Sequence, residues 1–304
     1  MFNVMVMKKI NIRKILVPID FTETADVALA EATSLALLLK ADLLLLNVVE
    51  STGYNYSVFA ATETIPPSLN DLESRIVEKM DGIKGQIVKK FGLKCSTFVM
   101  SGHIHTEINS FANKKKVDLI VMGTHGASGF KEYFIGSNSQ RVITLSDIPV
   151  LTTQRKSNKT GFKNILIPLD NSIHSREKVN IAIVIAKLYN SKIHLLGLPD
   201  SRDKVVVAKF KIKLSSVERL MESDGLEYET KIAYGENLAD TAIKYATKSK
   251  CDLIVINTGH ESKITGVFMG AFSQQIVNHS LIPVLSYKHT YGQYSIDTPG
   301  FGIM

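Results

Sequence analysis

Short, continuous apolar runs alternate along this chain with longer stretches in which apolar positions recur every three or four residues. The runs Ile15–Ile19, Leu43–Val49, Ser96–Met100, Leu119–Met122 and Val150–Thr153 are dominated by aliphatic and β-forming residues, which predicts strands buried on both faces. Between them, periodic stretches near Ala25–Leu39, Leu69–Phe91, His105–Lys115 and Tyr133–Ser146 predict amphipathic helices. Strands alternating with helices of this length predict βαβ units, right-handed crossovers and a mostly parallel sheet, an α/β fold.

The pattern then starts again. Ile15-Leu16-Val17-Pro18-Ile19-Asp20 recurs as Ile165-Leu166-Ile167-Pro168-Leu169-Asp170, an offset of 150. Asp118-Leu119-Ile120-Val121 recurs as Asp252-Leu253-Ile254-Val255, and Ile148-Pro149-Val150-Leu151 as Ile282-Pro283-Val284-Leu285, both at 134. The second copy is therefore shorter, chiefly because Ser51–Ser68 in the first is matched only by a Pro199–Asp203 turn. Strands of the second copy are expected near Ile165, Ile193, Tyr228, Leu253 and Val284. Gln154–Gly161, rich in Lys, Ser, Asn and Thr, joins the copies. The boundaries read as a first domain at 1–155, a linker at 156–162, a second domain at 163–288 and a tail at 289–304.

Composition narrows the class. With 304 residues, 45% hydrophobic and 21% charged, the chain has apolar material for two cores, and no apolar run approaches the roughly 18 residues of a membrane span. The N-terminus has its apolar residues before its lysines, the reverse of a secretory signal, so it reads as an unprocessed lead-in to the first strand. Two cysteines, Cys95 and Cys251, fall in different copies and exclude a disulfide framework, which suits the cytoplasm. A net charge of +7 favours anionic partners, but the basic residues are dispersed and there is no Trp, so nucleic acid is not expected. Lys114–Lys116 reads as a helix C-terminal turn.

The densest polar and glycine cluster is Met122-Gly123-Thr124-His125-Gly126-Ala127-Ser128-Gly129, followed by Gly136-Ser137-Asn138-Ser139. It runs from a strand end to a helix start, where glycines permit close approach and the helix N–H groups attract an anion. Its spacing, G-x2-G-x9-G-S, resembles that of the ATP-binding members of the universal stress protein family. The resemblance extends to Val17-Pro18-Ile19-Asp20, Asn47-Val48-Val49 and Ile148-Pro149-Val150, and covers most of 13–288, twice.

The resemblance implies two tandem open five-stranded parallel sheets of order 3-2-1-4-5 flanked by helices, an adenine-nucleotide alpha-hydrolase-like (Rossmann-like) fold. Ligand is then expected at the carboxyl ends of strands 1 and 4. Carried over by position, Pro18, Ile19 and Asp20 border adenine and ribose, and the Val48 backbone pairs with the adenine edge. Met122 and Gly123 flank the ribose, Thr124 and His125 lie on the rim, and Gly126, Gly136, Ser137, Asn138 and Ser139 surround the phosphates. The implied ligand is ATP, ADP or AMP, with Mg2+ a further option that Asp20 can support. Asp20 can equally orient the ribose hydroxyls or cap the helix beginning near Thr22 or Thr24.

In the second copy Gly123 becomes Asn257, Gly126 becomes His260 and Ser137 becomes Ala271, while Gly136 survives as Gly270. Nucleotide is therefore expected in the first copy alone. His103 and His105 have the spacing of strand neighbours but are too few for a metal site, so a solvated loop is expected there. No Walker motif, G-x-G-x-x-G or nucleophile elbow is present. The leading reading is a regulatory nucleotide binder in a stress response. The alternatives are a slow ATPase or nucleotidyl-transfer enzyme, and a nucleotide-independent scaffold; no catalytic residue is assigned. Family dimers pair their fifth strands, so Val150–Thr153 and Val284–Tyr287 are expected to pair antiparallel within one chain, a pseudo-dimer that leaves other surfaces for further homodimer formation.

Overall fold

A computed structural model of the chain describes residues 10–50, 69–124, 135–153, 161–171, 178–258, 260–262 and 266–288. The first half runs β1 (Lys14–Pro18), α1 (Glu23–Leu39), β2 (Asp42–Val49), α2 (Leu69–Phe91), β3 (Cys95–Ser101), α3 (Ile104–Lys115), β4 (Leu119–Gly123), α4 (Ser137–Leu145) and β5 (Val150–Thr153). The second runs β6 (Asn164–Leu169), α5 (Val179–Tyr189), β7 (Lys192–Gly197), α6 (Lys204–Ser223), β8 (Tyr228–Ile232), α7 (Leu238–Lys248) and β9 (Leu253–Asn257). A small hairpin, β10 (His260–Ser262) and β11 (Gly266–Phe268), precedes α8 (Ala271–His279) and β12 (Val284–Tyr287). The expected loop Ser51–Ser68, the core of the linker and the tail from His289 lie outside the described residues.

Ten strands form one sheet in the order β3-β2-β1-β4-β5-β12-β9-β6-β7-β8. Each half keeps the expected 3-2-1-4-5 order with parallel neighbours, and the halves join where β5 and β12 pair antiparallel, Leu151 opposite Leu285. Thr152 Oγ1 adds a 3.2 Å bond to the Val284 carbonyl, and Lys288 reaches Asp147 at 2.9 Å across the same seam. Pairing two edges of one chain removes the exposed backbone groups that would otherwise attract another strand.

Side chains alternate between the two faces. Ile15 and Val17 enter one core with Ala28 and Ala32 of α1 and Met80 of α2; Leu16 enters the other with Ile108 of α3 and Val142 of α4. Each of the larger aliphatic side chains contributes about 1.5–3 kcal/mol on burial, and a one-residue slip of β1 would exchange the two sets. The repeated Asp-Leu-Ile-Val motif also has a fixed use. Asp118 Oδ2 accepts from Arg13 and Lys14 N–H at 2.8 and 2.9 Å, while Asp252 accepts from Lys163 and Asn164 N–H. Each aspartate thus pins the start of its own half's first strand beside its fourth.

Three local readings change. Helix α4 starts at Ser137, because Gly136 takes the extended N-cap conformation, φ −58° and ψ 143°. His105 lies inside α3 and His103 at its N-cap, so these two are not strand neighbours. The hairpin β10–β11 was not expected from the sequence pattern.

Candidate functional site

The chain leaves the sheet at the end of β1 and has to turn sharply into α1. Ile19 N–H makes a last bond to the Leu46 carbonyl at 2.8 Å, and Phe21 then takes a left-handed φ of 62°. Thr22, rather than Asp20, caps α1, accepting from Ala25 N–H at 3.3 Å. Asp20 steadies that cap: its Oδ1 accepts from Thr22 N–H at 3.1 Å and from the Thr22 hydroxyl at 2.5 Å. Its carboxylate nevertheless stays exposed and lines a cleft over the carboxyl ends of β1 and β4.

The cleft, of about 170 Å³, has an apolar end and a polar end. Leu46, Val48, Ile104, Ile108, Met122 and Pro18 form the first. The second is made by Gly123, Gly136, Ser137, Asn138 and Ser139, with Asp20 and Thr24 between the ends. Ile19 and Ala25 complete the wall.

At the apolar end, the peptide of Val48 is the polar group that matters. Leu46 C=O is engaged toward β1 by Ile19, and Val49 C=O toward β3 by Gly102 N–H at 2.9 Å. Strand alternation therefore turns the Val48 N–H and C=O toward β1, where the chain has already left the sheet. The natural partner for that N–H would be the Ile19 carbonyl, but Asn47 Nδ2 holds this carbonyl at 2.7 Å. Val48 keeps a donor and an acceptor facing the cleft, with no described residue bonded to either.

The second half shows what happens without that amide. The position of Asn47 is Gly197, where even a Cβ would lie 2.8 Å from the Phe210 ring. The carbonyl equivalent to that of Ile19, Leu169 C=O, instead accepts from Leu198 N–H at 2.7 Å, and Leu198 is fully buried. The strand pairing runs one rung further and closes the edge that stays open in the first half.

At the polar end, Gly136 N–H donates to the Thr124 carbonyl at 2.7 Å, and no side chain caps α4. The first N–H groups of the helix, at Ser137, Asn138 and Ser139, therefore form a positive, donor-rich edge of the cleft. Ser139 contributes its backbone there. Its hydroxyl donates to the Gly123 carbonyl at 3.0 Å, as Ser273 does to that of Asn257, so this serine ties helix to strand in both halves. Thr124 corrects the sequence expectation: it is 1% exposed, and its N–H and hydroxyl both donate to the Thr153 carbonyl, at 3.2 and 3.3 Å, which turns it into the sheet and away from the rim. His125 and Gly126 lie outside the described residues.

Gly123 is required by packing. A Cβ there would stand 2.8 Å from the backbone carbon and side chain of Thr24, so its absence lets the first turn of α1 lie against the end of β4.

Electrostatically the cleft is divided. Asp20 and the first-turn residues Glu23 and Asp26 make its α1 side acidic; burial, then Asp20, then Glu23 push the Asp26 carboxyl above its ordinary range. The α4 side carries helix donors instead. Among the described residues no cluster of three His, Cys, Asp or Glu is placed to hold a metal ion, and no helix is long and apolar enough to cross a membrane. Burial raises the thiol of Cys95 to about 11 and that of Cys251 to about 12, so neither is an activated nucleophile.

Two copies of one open α/β domain, with a cleft at the strand ends of the first, define the class. A profile of the universal stress protein family matches residues 11–154 and again 161–288, and the chain belongs to that family as a tandem of two such domains. Universal stress protein MJ0577 of Methanocaldococcus jannaschii is 31% identical over 157 residues, 96% of its own length and 48% of this chain. YxiE of Bacillus subtilis is 32% identical over 143 residues, 96% of its length and 45% of this chain. A solved universal stress protein from Archaeoglobus fulgidus covers 90% of this chain and 98% of its own with a TM-score of 0.72 at 19% identity, so the shared feature there is the fold.

Proposed function

We propose that the first half binds an adenine nucleotide, ATP, ADP or AMP, and that the protein acts as a nucleotide-responsive regulator in a stress response rather than as an enzyme. The observation that carries this reading is the Val48 peptide, whose N–H and C=O, unbonded among the described residues, flank an apolar slot. Adenine offers a matching acceptor and donor on one edge, and its faces suit the walls formed by Ile104, Ile108 and Met122. The residues at the polar end fit the rest of the ligand: the α4 N–H groups at Ser137, Asn138 and Ser139 suit phosphate oxygens, with His125 and Gly126 joining them on sequence grounds. Asp20 suits the ribose hydroxyls, because its negative charge and those of Glu23 and Asp26 repel phosphate unless a cation such as Mg2+ stands between them. The closed edge at Leu198 supports a second half without nucleotide.

Acid extraction of the purified chain followed by chromatography, and calorimetry with ATP, ADP and AMP, test the proposal together. Co-purified adenine nucleotide, or saturable heat with any of the three, is the expected result. Neither extractable nucleotide nor heat overturns it in favour of a scaffold. Multiple turnovers of ATP, lost in Asp20→Ala, would move the protein to the enzymes.

A further inference from the structure

In the second half, the segment that corresponds in sequence to the first half's glycine-rich loop forms a short hairpin. The offset of 134 that aligns β4 with β9 sets 126–134 against 260–268, and this second stretch is where β10 and β11 pair, Glu261 opposite Val267. The hairpin touches the other half of the molecule. Its second strand, β11, lies against α4 of the first half, the helix whose N-terminus forms the polar end of the cleft.

This placement bears on how α4 is held. The helix has nine residues, too few to be stable alone, and its N-cap glycine supplies no side-chain bond. Val142 and Ile143 bury one side against the sheet, and the Ser139 hydroxyl ties its first turn to Gly123. It also packs against α3 and, in the other half, against β11. Where the N–H groups at Ser137 and Asn138 point depends on the axis of this short helix, and a donor displaced by about 1 Å loses much of its bond to an anion. The second half has Asn257 and His260 where the first has Gly123 and Gly126, and its stretch 260–268 forms a paired structure.

We infer that the β10–β11 hairpin is a positioning element, through which the second half sets the phosphate affinity of the site in the first. The inference rests on the reading of the cleft as a nucleotide site. It gives the nucleotide-free half a role in that site: a partner or modification that lifts the hairpin weakens phosphate binding from a distance, and bound phosphate in turn favours the docked hairpin, because such coupling is reciprocal.

The test compares ligands with and without phosphate on the full-length chain. Val267→Pro breaks the hairpin, and the double variant Glu261→Gly/Val267→Gly loosens it without removing a backbone donor, which covers the case in which the proline variant fails to fold. ATP affinity is measured by calorimetry, and adenosine binding by ligand-observed NMR at millimolar concentration. With the variants still folded by circular dichroism, ATP affinity is expected to fall about tenfold or more, while adenosine, held at Val48, changes by less than about twofold. Unchanged ATP affinity, or an equal loss for both ligands, overturns the inference. Wild-type protein that binds neither ligand removes the nucleotide site itself, a failure distinguishable from a hairpin that has no influence on a working site.

Discussion

Asn47 Nδ2 donates to the Ile19 carbonyl at 2.7 Å, and this one bond separates the two halves of the molecule at the position proposed for adenine. It satisfies a carbonyl that would otherwise recruit the N–H of Val48, as Leu169 C=O recruits that of Leu198. In the proposed site Asn47 is thus a positioning residue, which would act on the ligand through its neighbour.

Asn47→Ala should therefore weaken nucleotide binding without unfolding the protein. Losing the amide leaves a buried carbonyl costing about 1–3 kcal/mol. The first half can recover part of that by closing β2 onto Ile19 as the second half does, which removes the Val48 donor. The expected readout is an affinity lowered by about tenfold or more with the melting temperature reduced modestly. Normal affinity in a folded variant would show that Val48 is not the base-recognition group.

Gly123→Ala tests the contact that sets α1 against β4. The added Cβ would meet Thr24 at 2.8 Å, close enough to force the helix start or the strand end to move. Overpacking of this kind costs about 1–3 kcal/mol. Denaturant unfolding should record that loss together with weaker nucleotide binding, because Thr24 and Gly123 both line the cleft. An unchanged stability would mean that α1 shifts freely.

Glu31 gives a pH prediction at the junction of the halves. It is 4% exposed in α1 and accepts from Gly161 N–H at 3.1 Å and from the Tyr189 hydroxyl at 3.2 Å. Burial raises its carboxyl above the ordinary 4.5, against the lowering effect of those two bonds, and the charge of Asp252 adds to the rise. A carboxyl with a raised folded value binds its proton more tightly in the folded state, so the contribution of Glu31 to stability is fully present below 4.5 and is lost as pH rises through the window above it. Glu31→Gln, which keeps an acceptor for Gly161 N–H, should flatten this part of the stability profile in denaturant titrations. An identical slope in both proteins would show that Glu31 does not titrate there.

The alternation of strands and helices and the two copies were legible because periodicity and the internal repeat speak directly about burial on both faces, whereas the strand order and the joined fifth strands were expected through the family resemblance. The Val48 edge was legible only through resemblance, and the part played by Asn47 was not, since Asn-Val-Val at a strand end does not say which carbonyl the amide reaches. Gly123 looked like room for a ligand, whereas the space it saves belongs to Thr24. Thr124 looked exposed because it sits among loop glycines, but the Thr153 carbonyl beside it in β5 captures both its donors. The hairpin was hidden by its divergence: once the glycines at 257 and 260 are gone, the sequence records a lost loop and leaves unsaid what replaced it.

The central claim is that nucleotide enters one half only. Calorimetric titration of the nucleotide-stripped, full-length chain with ATP measures this directly. A stoichiometry of one per chain, with the affinity lowered about tenfold or more in Asn47→Ala, is the predicted result; two equivalent sites per chain would contradict it, because Leu198 N–H is already bonded within the sheet.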